Sequence, residues 1–389
     1  MVTLYDRISE SLCERNRVSR LFFDAEGTRL AHACRDMATR FSRGGKLLAC
    51  GLRHAATDAQ HVAVEFVHPV IVGKRALPAW DVSSRYCPSV LALTKPDDIV
   101  MAFDPSGEDP EVARLLTVVH TRGAQTFALA GRDADYGISV VHPDPFIHQE
   151  IVEILYHVLW ETVHVFLEHE ATPHDAGPAG FLYPFLATAE RATDRLIDEV
   201  TTSIRSKARD DERLRDELAG GQCPTIAGAV TAIRERIERG GKLLMLGNGG
   251  SATDATDWAL DCVDSPKGYP SVPAISLAAN PSVVSALAND LGVDAVFVRQ
   301  IIAHAQPADV LITITTSGAS TNVIAALVEG RRRGLLTIAL AGYDGGEIAR
   351  QKLADFSIIV PSDYIPRIQE VHASVYHVMS DLIAGHAAA

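Results

Sequence analysis

Two short stretches in the second half of the chain carry the residue types that hold anions. In the first, Leu243-Leu244-Met245-Leu246 runs into Gly247-Asn248-Gly249-Gly250-Ser251 and then into a helix-compatible run. Such glycines let the backbone approach an anion closely, while first-turn amides and a serine hydroxyl donate to it. In the second, the β-branched run Val310-Leu311-Ile312-Thr313-Ile314 opens into Thr315-Thr316-Ser317-Gly318-Ala319-Ser320, and another helical pattern follows. Neither is a nucleotide signature, because the dinucleotide spacing and the lysine of a P-loop are both missing. Two hydroxyl-rich loops at the C-terminal ends of strands can converge on one phosphate. The first half holds a different kind of chemistry. His61 and Glu65 stand four apart on a helical pattern and share a face, and Gln149 and His157, eight apart, share another. By spacing alone, His61 and Glu65 also fit an ordinary surface pair.

The elements that must position these groups recur along the chain. Gly44-Gly45-Lys46-Leu47-Leu48-Ala49-Cys50-Gly51 returns as Gly240-Gly241-Lys242-Leu243-Leu244-Met245-Leu246-Gly247, an offset of 196. At an offset of 211, Asp98-Ile99, Ser106-Gly107 and Arg122-Gly123 return as Asp309-Val310, Ser317-Gly318 and Arg333-Gly334. Gln149 and His157 return at 220 as Gln369 and His377. Self-similarity on this scale implies two structural copies, the first a shortened one. The first 45 or so residues read as helical, with Leu4, Ile8 and Leu12 on one face. A polar stretch with proline and glycine follows the apolar helix Ile151 to Leu167, which predicts a linker. The expected division is a first domain at 1–167, a linker at 168–181 and a second domain at 182–389. His164, His169 and His174 around that linker fit a solvated hinge better than a metal site.

The two loops with their spacing resemble the sugar isomerase (SIS) family and, within it, the phosphoheptose isomerases. Further matching stretches are Ala288-Asn289-Asp290-Leu291-Gly292-Val293-Asp294 with Phe297-Val298-Arg299-Gln300, Ala341-Gly342-Tyr343-Asp344-Gly345-Gly346, and Ile368-Gln369-Glu370-Val371-His372. The resemblance implies an α/β fold of two SIS-type domains, each a mostly parallel sheet flanked by helices in a flavodoxin-like three-layer sandwich. It implies a sugar phosphate bound by Asn248, Gly249, Ser251, Asp290, Thr315, Thr316, Ser317, Ser320 and Gln369. It also implies aldose-ketose isomerisation, with sedoheptulose 7-phosphate converted to D-glycero-heptose 7-phosphate. Some SIS relatives instead bind phosphosugars or proteins without catalysis, which keeps a regulatory reading open.

The copies differ in complementary ways. The first reads Gly51-Leu52-Arg53-His54-Ala55 where the second has Gly247-Asn248-Gly249-Gly250-Ser251, and Asp104-Pro105-Ser106-Gly107-Glu108-Asp109 where the second has Thr315 to Ser320. Carboxylates there are expected to repel a phosphate dianion by roughly a kcal/mol or more each. The first copy therefore reads as a degenerate SIS domain without phosphate loops. It nevertheless keeps His61, Glu65, Gln149 and His157, at positions where the family places its acid/base glutamate and histidine and where some members ligate zinc. A divalent metal, zinc above all, is the expected cofactor. The second copy has Asp257, Asp261, Gln369 and His377 at the same positions. Glu65, His157, Asp261 and His377 are the expected acid/base residues, in one site shared by the copies or in two unequal ones.

Composition sets outer bounds. The 389 residues are 47% hydrophobic and only 6% aromatic, enough for one large or two ordinary cores. A net charge of −13 with no basic stripe argues against a nucleic-acid partner. Six cysteines without a C-x-x-C pair read as reduced thiols. No apolar run reaches membrane-spanning length. A soluble, cytoplasmic homodimer is expected, presenting a pseudo-tetramer of SIS domains and taking a small-molecule sugar phosphate.

Overall fold

The computed structural model describes residues 3–70, 73–171 and 193–384. They form two compact units, one of residues 18–209 and one of residues 1–17 together with 210–389, here called the N-terminal and C-terminal units. In chain order the elements are α1 (Leu4–Ser42), β1 (Leu47–Gly51), α2 (Ala56–Val67), β2 (Ala79–Asp81), α3 (Tyr86–Leu93), β3 (Ile99–Phe103), α4 (Pro110–Thr121), β4 (Gln125–Leu129), β5 (Tyr136–Ile138) and α5 (Pro145–Ala171). They continue with α6 (Thr193–Gly221), α7 (Cys223–Glu238), β6 (Leu243–Leu246), α8 (Gly250–Val263), β7 (Ala274–Ser276), α9 (Pro281–Leu291) and α10 (Ala295–His304). The last are β8 (Val310–Thr315), α11 (Thr321–Arg332), β9 (Leu336–Ala341), α12 (Gly346–Arg350), β10 (Phe356–Ile359) and α13 (Ile365–Ala384).

Each unit is built on a five-stranded parallel sheet, ordered β2-β1-β3-β4-β5 in one and β7-β6-β8-β9-β10 in the other. This is the doubly wound 2-1-3-4-5 order, whose direction reverses between the first and third strands. The registers correspond too. Leu47 faces Ile99 and Ile99 faces Gln125, while Leu243 faces Val310 and Val310 faces Leu336. The central strands β1, β3, β6, β8 and β9 are buried along their whole length, as a parallel sheet covered on both faces requires.

The recurrent Gly-Gly-Lys has a physical reason. A side chain on Gly45 would bring its Cβ within 2.0 Å of the Asp97 carbonyl, and one on Gly241 within 2.2 Å of that of Ala308. The lysine that follows then pins the entrance to the sheet. Lys46 Nζ lies 2.5 Å from Asp98 Oδ2, and Lys242 Nζ lies 2.5 Å from Asp309 Oδ2; the lysine backbone N–H groups donate to the same carboxylates.

The grouping into units departs from the division at 1–167 and 182–389 read from composition. Ile8 and Leu12 on α1 pack in one cluster with Leu214, Leu218, Trp258 and Met379 of the C-terminal unit, whereas Leu196, Val200 and Ile204 on α6 join the core of the N-terminal unit. A local run of polar residues marks where a chain is free to turn, not which core a helix face covers. The expected linker is helical through Ala171, and its remainder, 172–181, lies outside the described residues. His164, expected at a solvated hinge, is buried, with its ring nitrogens 2.9 and 3.0 Å from the carbonyls of Trp160 and Arg75. The charged run Arg209 to Arg213 lies inside α6, which continues to Gly221. Within it Asp211 is buried beside Arg367, which also donates to Glu370 at 2.7 Å. Cys34, Cys50, Cys223 and Cys262 are buried free thiols, while Cys13 is exposed. Among the described residues no single helix is long and apolar enough to cross a membrane.

Candidate functional site

The C-terminal unit gathers its polar loops where its strand order reverses. β6 and β8 are neighbours, with Leu246 opposite Thr313, so the turn after β6 and the loop after β8 leave the sheet side by side. Gly247 is demanded by the turn, because a Cβ there would lie 2.3 Å from the Ser251 carbonyl oxygen. Gly249 stands at the N-cap of α8 with φ 57°, and nothing lies within 4 Å of where its Cβ would be. The glycine thus leaves open space above the helix N-terminus. In the second loop, Gly318 (φ +60°) backs onto Gly345 so closely that a Cβ would meet its carbonyl at 2.2 Å. That contact fixes the loop. Ser320 at the N-cap of α11 makes no side-chain capping bond, and α8 has no side-chain cap, so the helices that follow the adjacent strands β6 and β8 both begin without a side-chain cap.

These loops hold most of the expected phosphate ligands. Ser251 and Thr315 are buried, while Thr316, Ser317 and Ser320 are partly accessible. Asn248 exchanges two hydrogen bonds with Asn322, at 3.0 and 2.9 Å, which tie one loop to the other. Asn322 is a residue that sequence reading passed over, although its place at the start of the second helix was visible. Asp290 is exposed near the end of α9 and paired with Asn289.

The expected acid/base residues form a buried trio in each unit. On α8 and α13, His377 Nε2 lies 3.4 Å from Asp261 Oδ2 and 3.8 Å from Asp257 Oδ2. Tyr376 donates to Asp257 at 3.0 Å and stacks on Trp258, and Gln369 is buried two turns before His377. In the N-terminal unit, His61 and Glu65 on α2 meet His157 on α5. The two imidazole Nε2 atoms are 3.4 Å apart, and His61 Nε2 is 3.8 Å from Glu65 Oε1. His61, Glu65 and His157 are 2%, 1% and 0% exposed, which excludes the surface-pair reading. Gln149 is half-buried, two turns before His157 on α5.

Each trio brings ligand atoms within 4.8 Å of one another. Metal–nitrogen bonds of about 2.0–2.1 Å in a tetrahedron place ligand atoms roughly 3.3 Å apart, so the N-terminal trio fits a zinc-sized ion with small adjustment. Its electrostatics agree. Burial, and then His157, holds His61 well below the usual imidazole range, leaving it neutral as a ligand must be. Glu65 is pushed up to about 8 by burial and then by Glu161, and its Oε2 has no hydrogen-bond partner among the described residues. A cation is the partner such a carboxylate lacks. The C-terminal trio offers two carboxylates and one imidazole, a harder donor set.

A family model for the SIS domain matches residues 210–342. The phosphoheptose isomerase of Pelobacter propionicus is 41% identical over 189 residues, 48% of this chain and 97% of that protein. The chain belongs to the phosphoheptose isomerase family of SIS proteins. The phosphoheptose isomerase of Citrifermentans bemidjiense is 43% identical over a stretch of the same size, covering 95% of its length. Among solved structures, the C-terminal domain of glucosamine-fructose-6-phosphate aminotransferase from Francisella tularensis resembles 97% of this chain, and 94% of its own, with a TM-score of 0.59 at 10% identity. That likeness is one of fold, and it extends beyond the half covered by the phosphoheptose isomerases.

Against the phosphoheptose isomerase pattern, the N-terminal loops are the altered part. Arg53, at the place of Gly249, has a positive φ of 53° where Gly249 has 57°. Asp104 is buried rather than projecting into solvent. The Glu65 carboxyl also sets a pH signature. Its folded value lies above the ordinary 4.5, so the stability it confers in metal-free protein is complete below about 4.5 and is lost as pH rises through about 8. Urea midpoints measured from pH 5 to 9 with a chelator present should fall more steeply for wild type than for Glu65→Gln.

Proposed function

We propose that the protein is an aldose-ketose isomerase acting on a sugar phosphate, with sedoheptulose 7-phosphate the foremost substrate and a D-glycero-heptose 7-phosphate the product. The observation that carries this reading is the pair of loops beside the open space over Gly249 in the C-terminal unit, in a chain of which a 189-residue stretch is 41% identical to a phosphoheptose isomerase. Ser251, Thr315, Thr316, Ser317 and Ser320, with the amides of two helix N-termini, anchor the phosphate. Ten residues of α8 separate Ser251 from Asp261, about 15 Å of helix axis. A sugar held at the loops must bridge much of that length to meet this unit's trio, which suits a long open chain better than a triose.

The chemistry moves one proton between neighbouring carbons. A base removes a proton from C1 of the ketose while an acid protonates the C2 carbonyl oxygen; the resulting enediol is reprotonated at C2 as the O1 proton leaves, giving the aldose. Glu65 with His157, and Asp261 with His377, are the carboxylate–imidazole pairs assigned to these transfers. His61, Glu65 and His157, with Gln149 as a further donor, would hold a divalent ion, zinc foremost. Such an ion supplies Lewis-acid polarisation of a carbonyl.

Conversion of sedoheptulose 7-phosphate by the purified full chain, with and without a chelator and beside a panel of hexulose and octulose phosphates, tests this function. Binding without turnover of any of them would favour a phosphosugar-binding regulator instead, a reading to which the shorter Asp261 lends weight. Ser317→Ala should raise KM about tenfold, the loss of one hydrogen bond to a charged group, with a much smaller change in kcat.

A further inference from the structure

In the N-terminal unit the loop after β3 is closed by its own carboxylate. Asp104 follows the last residue of β3 and is 4% exposed. Its Oδ1 accepts from the Ser106 backbone N–H at 3.1 Å and from the Ser106 hydroxyl at 2.7 Å, and its Oδ2 accepts from the Asp109 N–H at 2.9 Å. Asp109 completes the closure. Sitting at the N-cap of α4, it accepts from the N–H groups of Glu111 and Val112 at 2.8 and 3.2 Å. At the offset that relates the two halves here, 211, Asp104 corresponds to Thr315 and Asp109 to Ser320. The equivalent C-terminal loop bears hydroxyls at both positions, and Ser320 makes no capping bond to α11.

We propose that Asp104 is a resident anion, standing in the N-terminal unit where a phosphate stands in the C-terminal one, so that positions 104 and 109 decide which unit takes a phosphosugar. An approaching dianion would meet amides already bonded to carboxylate oxygens, not merely a distant like charge. A carboxylate that accepts several N–H and O–H bonds is a close substitute for a phosphate oxygen pair. The backbone around it has similar φ angles at two positions: Gly107 holds φ +65° where Gly318 holds +60°, and Arg53 holds +53° where Gly249 holds +57°. The frame of the site remains and its occupant is built in.

The inference rests on the reading that the C-terminal loops hold phosphate, and the two can fail separately. Inorganic phosphate bound per full-length chain is counted by equilibrium dialysis for wild type and for Asp104→Thr with Asp109→Ser, which installs the residues of the other unit. Wild type should bind one phosphate and the double variant two. A folded double variant that still binds one, or a wild type that binds two, overturns the proposal. Zero in wild type with one in the variant would sink the C-terminal anchor and leave this inference standing. Asp104→Gly, which empties the position without demanding a particular backbone angle, gives a second readout. Phosphate should raise its melting temperature beyond the shift seen in wild type, as a ligand gained by the folded state alone must; equal shifts overturn the proposal.

Discussion

Glu65→Gln is expected to lower kcat by about 10²–10⁴-fold, the usual contribution of a positioned acid or base, while KM changes little because no phosphate contact is removed. The fold should survive. With its carboxyl pushed up to about 8, Glu65 is largely protonated at neutral pH, and glutamine is close in shape to that form. If Glu65 is also a metal ligand, the variant should lose bound zinc as well, measurable by elemental analysis of the purified protein. Asp261→Asn in parallel decides between the two carboxylates. Loss of turnover there, with Glu65→Gln unaffected, would assign the chemistry to the C-terminal unit and leave the His61–Glu65–His157 cluster a structural element. Aspartate is one methylene shorter than the family's glutamate at this position, and a displacement on the order of 1 Å can cost a hundredfold in rate. That deficit is the reason to expect the larger effect at Glu65.

Deletion of residues 1–17 should unfold the C-terminal unit even though most of that unit lies more than 190 residues further along the chain. Ile8 and Leu12 are 0% and 1% exposed, packed in one cluster with Leu214, Leu218 and Met379. Each large-to-small change in such a core costs about 2–5 kcal/mol, and the deletion removes both side chains together with the first turns of α1 that carry them. It also removes Asn16, whose side-chain amide donates to Asp216 at 2.8 Å. Hydrogen exchange is the informative measurement, since protection in β6, β8 and α13 should collapse. Ile8→Ala and Leu12→Ala, each alone, should lower the urea midpoint without abolishing folding. Undiminished protection in those strands after the deletion would show that the segment is peripheral to the C-terminal core. By the same reasoning, a fragment beginning at residue 182, the domain that composition suggests, would lack part of its own core.

Local pattern carried much of this protein. Apolar runs of four to six residues marked β1, β6 and β8, because a parallel sheet buried on both faces needs unbroken hydrophobic segments. The Gly-Gly-Lys repeat marked two strand entrances, since only glycine tolerates the close carbonyl contact that follows. Spacings of four and eight on helices brought His61 onto the face of Glu65, and Gln149 onto that of His157. Long-range partners were out of reach. An amphipathic stretch shows that Ile8 and Leu12 need covering but not by what, and a charged run such as Arg209 to Arg213 does not say which of its members will be buried against Arg367.

By itself, then, the sequence determined the positions of β1, β6 and β8, the two hydroxyl-rich loops and the residue types of both trios, while the layers followed from the family resemblance. The tertiary structure alone decided that residues 1–17 complete a core some 200 residues away, that Asn322 braces Asn248, that His61 and Glu65 are buried, and that Asp104 turns inward onto its own loop. Each of these is a choice of partner, set by which surfaces exclude water together and which donors lie within hydrogen-bonding distance, and neither quantity is written in the spacing of residues along a strand or helix.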